Sequence, residues 1–200
     1  MTFLTLSNLR RPARTFGIIA SLALMLGVAG CEPGRNLALL PGQHDAPAAY
    51  RLGSGDSIRI ITFGEDQLTG EFRVGDSGSI SVPLLGEIPV AGLSVQDVAK
   101  KIANGLEAAK IFKSPSVSAE VTVYRPIFIL GEVTRPGQYP YQPGMTLLSA
   151  VSVAGGFTNR AVESYASIVR NSDGHVVEGK VNRQALIQPS DVVTIFERRF

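Results

Sequence analysis

Apolar and polar residues alternate with a period of two in several short stretches of this chain. In residues 57–63 (SIRIITF) Ile58 and Ile60 share a face with Thr62, and the opposite face is also partly apolar. The same period, with valine on one face, runs through residues 116–124 (SVSAEVTVY). Because successive side chains of a strand point to opposite faces, both stretches are predicted strands, the second of them half-buried.

Turn residues divide the neighbouring segments into further strands. Residues 71–74 and 79–84 flank the sequence Gly-Asp-Ser-Gly at 75–78, which predicts a hairpin. Residues 87–90 follow as a short strand, with Gly86 before it and Pro89 within it.

The second half of the chain shows the same organisation. Residues 127–130 form a continuous apolar run, which predicts a strand buried on both faces. Residues 167–170 and 175–178 flank Asn-Ser-Asp-Gly and predict a second hairpin. Residues 191–196 (DVVTIF) are the last predicted strand.

A period near 3.6 predicts the main helix. Ser94 is a suitable N-cap, and Asp97, three residues on, completes a variant of the capping box. The apolar stripe predicted to face the core consists of Val95, Val98, Ala99, Ile102, Leu106 and Ala109.

Glycine and proline define turns in the second half. Pro136 followed by Gly137 suits the two central positions of a type II turn, since proline presets φ and glycine accepts φ > 0. A short helix is predicted over residues 147–154, closed by Gly155 and Gly156.

One sequence pattern occurs in both halves. Residues 55–60 (GDSIRI) and 190–195 (SDVVTI) share a small residue, an aspartate, and then β-branched residues that enter a strand. Asp56 and Asp191 have two readings, an acid/base pair or aspartates that cap backbone N–H groups at the turn before each strand. Turn capping is the favoured reading, because aspartate is common at such turns.

The first thirty residues have the layout of a secretory signal. Three arginines precede a mostly apolar segment at 16–30, and no acidic residue occurs before Glu32. About fifteen apolar residues fall short of the roughly 20 that span a bilayer, which argues against a single-pass anchor. Residues 1–30 are therefore a predicted signal peptide.

The only cysteine of the chain, Cys31, directly follows Val28, Ala29 and Gly30. This run resembles the bacterial lipobox, which implies cleavage between Gly30 and Cys31 and a lipid on the Cys31 thiol. An ordinary signal peptide with an incidental cysteine is the alternative. Several acyl chains give stable anchoring where one is marginal. Glu32, in place of aspartate, favours the periplasmic face of the outer membrane.

Removal of residues 1–30 changes the charge balance. Three of the 19 Lys+Arg leave and none of the 17 Asp+Glu, which gives 16 against 17 and a net charge of −1. A nucleic-acid partner is not predicted, since it calls for a clustered basic face. Residues 31–49, with three prolines and two glycines, are a predicted flexible tether.

Catalytic patterns are missing from the sequence. There is no G-x-S-x-G, H-E-x-x-H or C-x-x-C, and the histidines, His44 and His175, lie in different segments. Carboxylate pairs such as Asp56 and Glu65 are too common among 17 acids to indicate a glycosidase. The sequence predicts no enzyme activity, no catalytic residue, no cofactor and no metal site.

Four longer stretches resemble a known family. Residues 127–139 (IFILGEVTRPGQY) are similar to the opening of the SLBB domain, a soluble-ligand-binding β-grasp, and residues 147–157 to the helix and Gly-Gly turn that follow there. Residues 50–60 and 80–93 look like the polysaccharide biosynthesis/export domain. Together they resemble the bacterial Wza-like polysaccharide export lipoproteins.

The resemblance implies an α+β fold in two domains. The first, residues 50–124, is expected to have a small mixed sheet and one main helix, and the second, residues 125–200, to be a β-grasp-like SLBB domain. The residues expected to form the structural turns of the SLBB motif are Gly131, Pro136, Gly137, Gly155 and Gly156.

The family also implies a function. Its members form homo-oligomeric rings that enclose a periplasmic conduit for capsular polysaccharide or exopolysaccharide, and dock onto an inner-membrane co-polymerase. Longer members add a further SLBB repeat and a pore-lining helix, so this chain is expected to need a separate outer-membrane pore protein or to form only the periplasmic part. The alternative is a lipoprotein adaptor that binds a saccharide or partner without forming a channel.

Overall fold

The computed structural model describes residues 33–41, 49–172 and 174–199. The first half of the described chain has one helix and five strands, with a 3-10 turn at Asp66–Leu68 between the first two. They are β1 (Ser57–Thr62), β2 (Gly70–Arg73), β3 (Ser79–Val82), β4 (Gly86–Pro89), α1 (Val95–Ala108) and β5 (Val117–Val123).

The second half contains a further helix and five further strands. In chain order they are β6 (Ile127–Gly131), β7 (Gly137–Tyr139), α2 (Leu147–Val153), β8 (Tyr165–Ser172), β9 (His175–Asn182) and β10 (Val192–Ile195). With two helices in the described ranges and sheets that pair mainly in the antiparallel direction, the structure confirms the predicted α+β class.

The first sheet is antiparallel, with strand order β2-β1-β5. Its central strand alternates as predicted: Ile58 and Ile60 are fully buried, while Ile61 is 45% and Phe63 85% exposed. The buried face packs against α1, whose Val98, Ile102 and Leu106 belong to the same hydrophobic cluster. This is the first hydrophobic cluster.

The N-terminus of α1 is capped as the sequence indicates. The Asp97 backbone N–H donates to Ser94 Oγ at 3.2 Å, and Ser94 Oγ donates to Asp97 Oδ2 at 2.8 Å. The stripe is confirmed at its four central positions, since Val98, Ala99, Ile102 and Leu106 are buried, whereas Ala109 is exposed.

The predicted hairpin between residues 71–74 and 79–84 is wrong. The tight turn exists, because Gly75 N–H donates to the Ser79 carbonyl at 2.9 Å. However, β2 pairs with β1, and β3 pairs with β4 in a separate two-stranded sheet. The Gly78 carbonyl accepts from Val90 and Ala91, which draws β3 towards β4 instead of β2.

The second sheet has the order β7-β6-β10-β8-β9 and is mixed, because β6 and β10 run parallel. The predicted hairpin at 167–178 is confirmed, with longer strands that pair from Tyr165–Asn182 to Ser172–His175. Asp173, in its turn, lies outside the described residues. Helix α2 contributes Leu147, Ala150 and Val151 to the second hydrophobic cluster.

Strand β6 is not buried on both faces as its composition suggested. Ile127 and Ile129 point into the second hydrophobic cluster, but Phe128 is 39% and Leu130 45% exposed. The buried members of that cluster lie on one face of the strand only. A run of four apolar residues therefore overstated the burial, since the pleat still places alternate side chains on the other face.

Part of the predicted tether is held in place by the second sheet. Leu40 is only 5% exposed, its N–H donates to the Lys180 carbonyl at 3.0 Å, and Lys180 N–H donates to the Ala38 carbonyl at 2.7 Å. Leu39 pairs in parallel with Lys180. A flexible tether over 31–49 is thus incorrect for residues 38–40, because one buried leucine and two backbone bonds hold them on β9.

The predicted signal peptide, cleavage site and domain boundary are not tested by the described residues. The signal peptide at 1–30 and the residues Gly30 and Cys31 lie outside the described residues. The division into domains at 124–125 stays a prediction. Among the described residues, the helices are too short or too polar to cross a bilayer.

Candidate functional site

Asp56 is the centre of the first turn that the sequence pattern singled out. The carboxylate is fully buried, and its Oδ2 accepts from Tyr50 Oη at 2.6 Å and from the Gly53 N–H at 2.8 Å. Its Oδ1 accepts from the Arg125 N–H at 3.0 Å and lies 3.3 Å from Arg125 Nε. Asp56 therefore fixes the turn and binds the residue that follows β5.

Asp191 occupies the corresponding turn before β10. It is fully buried, and Arg170 on β8 clamps both its oxygens, with Nε to Oδ1 at 2.9 Å and Nη2 to Oδ2 at 2.7 Å. Its Oδ2 also accepts from the Gln188 N–H at 2.7 Å. This is a bidentate, charge-assisted pair, the strongest common class of side-chain hydrogen bond.

The two turns have the same construction. Each aspartate accepts from the N–H three residues earlier, Gly53 or Gln188, and donates its own N–H back to that residue's carbonyl at 3.1 Å. Each also binds an arginine from a distant part of the chain. Both positions are thus the turn-capping aspartates that the sequence favoured.

Burial sets the electrostatics of the site. It raises the pKa of the Asp191 carboxyl above its ordinary value, against the opposing effect of Arg170. Burial, together with the hydrogen bond to Asp56, also raises the pKa of the Tyr50 hydroxyl, so that this group stays protonated and donates. Each carboxylate is held by an arginine and by backbone N–H groups. The acid/base reading therefore has no support, because neither side chain presents an oxygen to solvent.

The two turns flank one short segment, residues 125–126. Asp56 binds the Arg125 N–H, and the Pro126 carbonyl accepts from the Ser190 N–H at 3.0 Å. We call residues 125–126 and the two aspartate turns the junction. It lies where the first hydrophobic cluster ends and the second begins, so both clusters are fixed to the same two residues.

A row of three tyrosines connects the same parts of the chain. Tyr50 and Tyr124 meet edge-on with ring centroids 5.0 Å apart, and Tyr124 meets Tyr141 in the same way at 5.5 Å. The Arg125 guanidinium carbon lies 5.8 Å from the Tyr50 ring centroid. Edge-on aromatic pairs add about 0.5–1.5 kcal/mol beyond area burial, so the row stiffens the junction.

The predicted SLBB turn residues are placed around one loop. Gly131 ends β6 with φ 83°, and a Cβ there would collide with the Ile195 carbonyl. Gly155 and Gly156 end α2, both with positive φ, and Gly156 N–H donates to the Val151 carbonyl at 2.9 Å. Gly155 faces Thr134, whose Oγ1 donates to the Gly155 carbonyl at 3.0 Å.

The type II turn at Pro136 and Gly137 is wrong. Gly137 is the first residue of β7, pairs with Ile129 and has φ 157°, outside the range of that turn. The reversal is spread over residues 131–136. The N–H groups of Thr134 and Arg135 donate to Gly156 and Ala154, so the loop is held by the end of α2 and makes no tight turn.

Sequence reasoning missed four residues that form or contact the junction, namely Tyr50, Tyr124, Arg125 and Arg170. Their contacts join positions as far apart as 50 and 125, which no local pattern reveals. In the described ranges there is no group of three or more histidine, cysteine, aspartate and glutamate residues suited to a metal ion.

Comparison with known protein families gives one match in each half of the chain. Residues 44–122 match the family described as polysaccharide biosynthesis/export protein, and residues 126–181 match the SLBB domain. The junction at 125–126 falls between the two matched regions.

Three relatives illustrate the likeness. The chain is 40% identical over 120 residues to the exopolysaccharide production protein ExoF of Rhizobium meliloti, a match to 54% of this chain and 28% of that protein. It is 27% identical to the EPS I polysaccharide export outer membrane protein EpsA of Ralstonia nicotianae, over 72% of this chain and 44% of the relative. It is 30% identical to the polysialic acid transport protein KpsD of Escherichia coli, over 66% of this chain and 24% of the relative. The matches therefore span less than half of each relative.

Proposed function

Because this chain belongs to the Wza-like polysaccharide export family, with a polysaccharide biosynthesis/export domain followed by an SLBB domain, we propose that it is a subunit of an export conduit. In this proposal copies of the chain form a periplasmic ring through which capsular polysaccharide or exopolysaccharide passes. The ring is held at the outer membrane by a lipid on Cys31. It carries out transport and no catalysis.

The observation that carries the proposal is that both family regions are present in one chain and that the junction lies between them. A ring of stacked layers needs the two regions of each subunit to keep a constant orientation, since a hinge would shear one layer against the other. Asp56 accepts from the Arg125 N–H, and Ser190, which precedes Asp191, donates to the Pro126 carbonyl. A row of three tyrosines packs beside the same segment. Such a junction favours rigid subunits.

The proposed partners follow from the same role. An inner-membrane co-polymerase delivers the polysaccharide to the ring, and a separate outer-membrane pore protein completes the path where the ring itself does not. The names of the EpsA relatives place those proteins in the outer membrane, which agrees with the outer-membrane location proposed from Cys31.

The mass of the native protein extracted in mild detergent tests the ring. The expected result is a stable particle of many subunits, together with loss of secreted polysaccharide when the gene is deleted. A stable monomer that binds oligosaccharide would instead support the adaptor role. Cys31→Ala is the matched variant for the anchor: it removes the thiol that accepts the lipid, so the protein should no longer incorporate labelled fatty acid. Equal incorporation into the natural protein and Cys31→Ala would refute lipidation of Cys31.

A further inference from the structure

The chain that directly follows Cys31 is fixed to one end of the second sheet. Tyr165 Oη donates to the Pro33 carbonyl at 2.9 Å, and Gly34 packs so closely on the Phe196 ring that a Cβ there would overlap it. The Tyr165 and Phe196 rings lie 5.8 Å apart. Leu39 pairs with Lys180, whose Nζ lies over the Tyr165 ring. We call the surface formed by residues 33–35, Leu39, Tyr165, Lys180, Phe196 and Arg198 the anchor face.

Chain length ties this face to the attachment point. Two residues of fully extended chain span at most about 7 Å, so Cys31 lies within that distance of Pro33. A lipid on Cys31 therefore brings the headgroup layer against the anchor face, whatever path the two intervening bonds take. A freely flexible 31–49 segment would have allowed any face of the protein to meet the membrane.

Basic side chains predominate around the anchor face. Arg35 and Arg198 are exposed, and Lys180 Nζ stands 5.5 Å from the Tyr165 ring centroid. Arg160 is next to them and pairs with Glu197. The acids close to these segments in the sequence are Glu32, Glu163, Glu178 and Glu197. The cations are Arg35, Arg160, Lys180, Arg198 and Arg199, so the cations exceed the acids by one.

An apolar side chain stands beside the cations. Leu39 is 70% exposed although its neighbour Leu40 is buried, and it pairs with Lys180 on the edge of the sheet. An exposed leucine beside a lysine that lies over a tyrosine ring is typical of surfaces at a bilayer interface, with apolar groups below the phosphates and cations at their level.

We propose that the anchor face binds an anionic phospholipid surface, with Arg35 and Arg198 on headgroup phosphates and Leu39 inserted beneath them. The proposal rests on the lipidation of Cys31 proposed above and adds a second, electrostatic contact to it. Arginine suits this role because its planar guanidinium binds phosphate through two parallel N–H bonds. The contact fixes the orientation of each subunit, which a lipid alone leaves free to tilt.

An acidic polysaccharide is the competing ligand for a basic surface. The membrane is favoured because the attachment point lies within two residues of the face, and because Leu39 has no role in binding a hydrated sugar chain. The two ligands make opposite predictions for the environment of Leu39.

The chain contains no tryptophan, so a single introduced tryptophan reports on its own surroundings. Leu39→Trp places the probe on the anchor face. Phe63→Trp is the matched control, since Phe63 directly follows β1 in the first half of the chain and is 85% exposed. Each full-length lipoprotein is reconstituted in vesicles of phosphatidylethanolamine and phosphatidylglycerol that contain brominated phospholipid.

The expected result is strong quenching and a blue shift for Leu39→Trp, with neither for Phe63→Trp. Arg35→Gln combined with Arg198→Gln should reduce the quenching to the control level. Each lost cation is expected to weaken membrane contact about fivefold. Arg73→Gln, an exposed arginine on β2, should leave it unchanged.

Equal quenching at both positions, or quenching of Phe63→Trp alone, overturns the proposal. So does a blue shift of Leu39→Trp with soluble acidic polysaccharide but not with vesicles, which would assign the face to a sugar. Mass spectrometry of the purified mature chain decides the lipid on Cys31 separately. An acylated, vesicle-bound protein with an unquenched Leu39→Trp probe would therefore refute the anchor face and leave the proposed function intact.

Discussion

Gly55 and Ser190 adopt the same left-handed backbone conformation at equivalent positions of the two aspartate turns. Each directly precedes the buried aspartate, Asp56 or Asp191, and their φ angles are 99° and 71°. Glycine reaches this region without strain, whereas an L-residue with a Cβ carries a cost of roughly 1–2 kcal/mol. One of the two turns is therefore strained at a position where the other is relaxed.

Ser190→Gly should raise the free energy of unfolding by about 0.5–1 kcal/mol, because relief of the positive φ exceeds the extra entropy of glycine in the unfolded chain. Denaturant unfolding monitored by circular dichroism measures the change. Gly55→Ser is the reciprocal variant and should destabilise by about 1–2 kcal/mol. A loss of stability in Ser190→Gly would show that the serine side chain supports the turn.

Asp191→Ala should destabilise the protein by about 3–5 kcal/mol, because it leaves the buried Arg170 guanidinium without its counter-ion. The exposed Asp76→Ala is the control and should change stability by less than about 0.5 kcal/mol. The double variant Asp191→Leu with Arg170→Met should lose much less than Asp191→Ala alone, since no unpaired charge stays buried. If the double variant is the least stable of the set, the ion pair itself stabilises the fold. The loss in Asp191→Ala would then not come from a buried, unpaired charge.

Thr62→Val should stabilise the protein by about 1 kcal/mol. Thr62 Oγ1 is buried and is the one buried side-chain polar atom without a hydrogen-bond partner in the described ranges. Valine has almost the same shape as threonine but lacks the hydroxyl. The substitution therefore removes the cost of burying an unsatisfied hydroxyl at the end of β1. Thr122→Val is the contrasting variant: its hydroxyl donates to Glu71 Oε1 at 2.6 Å, so this change should bring no gain. The melting temperature should therefore rise for Thr62→Val alone.

Gly131→Ala should destabilise by about 2–4 kcal/mol, because both a positive φ and a collision with the Ile195 carbonyl stand against a Cβ. Gly144→Ala separates the two effects. Gly144 has a similar φ, 79°, but no atom within 4 Å of a Cβ position, so only the conformational cost of about 1–2 kcal/mol is expected there. Equal losses in the two variants would mean that β10 shifts easily to admit the methyl group.

The N-cap of α1 should respond to acid. The hydrogen bond from Ser94 Oγ holds the pKa of Asp97 below its ordinary value of 3.8. Because the folded-state pKa is lowered, the contribution to stability is present above pH 3.8 and disappears as the pH falls through the folded-state pKa. Carboxyl NMR shifts of Asp97 should show the low pKa, and Ser94→Ala should return it to the ordinary value. A titration of Asp97 at or above 3.8 in the unmodified protein would contradict the bond.

Local patterns predicted the elements of this fold better than their partners. The period of two identified β1 and β5, and Ser94 identified the start of α1, because these signals depend on neighbours in sequence. The pairing of β2 with β1 is continued by backbone bonds from Val74 to Asp56 and from Gly55 to Val74, which join positions almost twenty residues apart. For the same reason the aspartates were recognised as turn caps, while the arginines that hold them were not.

Composition misled where tertiary contacts override it. Residues 38–41 have the proline and alanine content of a linker, yet the side chain of Leu40 has a pocket against Gly179, where a Cβ would lie 2.8 Å from the Leu40 Cα. The absence of a side chain at Gly179 makes this approach possible. The predicted strand ended at residue 178, before Gly179, so the sequence pattern gave no signal of this close approach.

The pairing of residues 38–40 with β9 also sets an order of folding. Leu40 bonds to Lys180, which lies 140 residues later in the chain, so this contact forms only after nearly the whole protein has been made. Contacts of such long range close late, because the loop between them must first be ordered. Residues 38–40 are therefore not yet held on β9 while most of the chain is being made. An enzyme that cleaves or modifies the N-terminus during that interval meets this segment before it is docked on the second sheet.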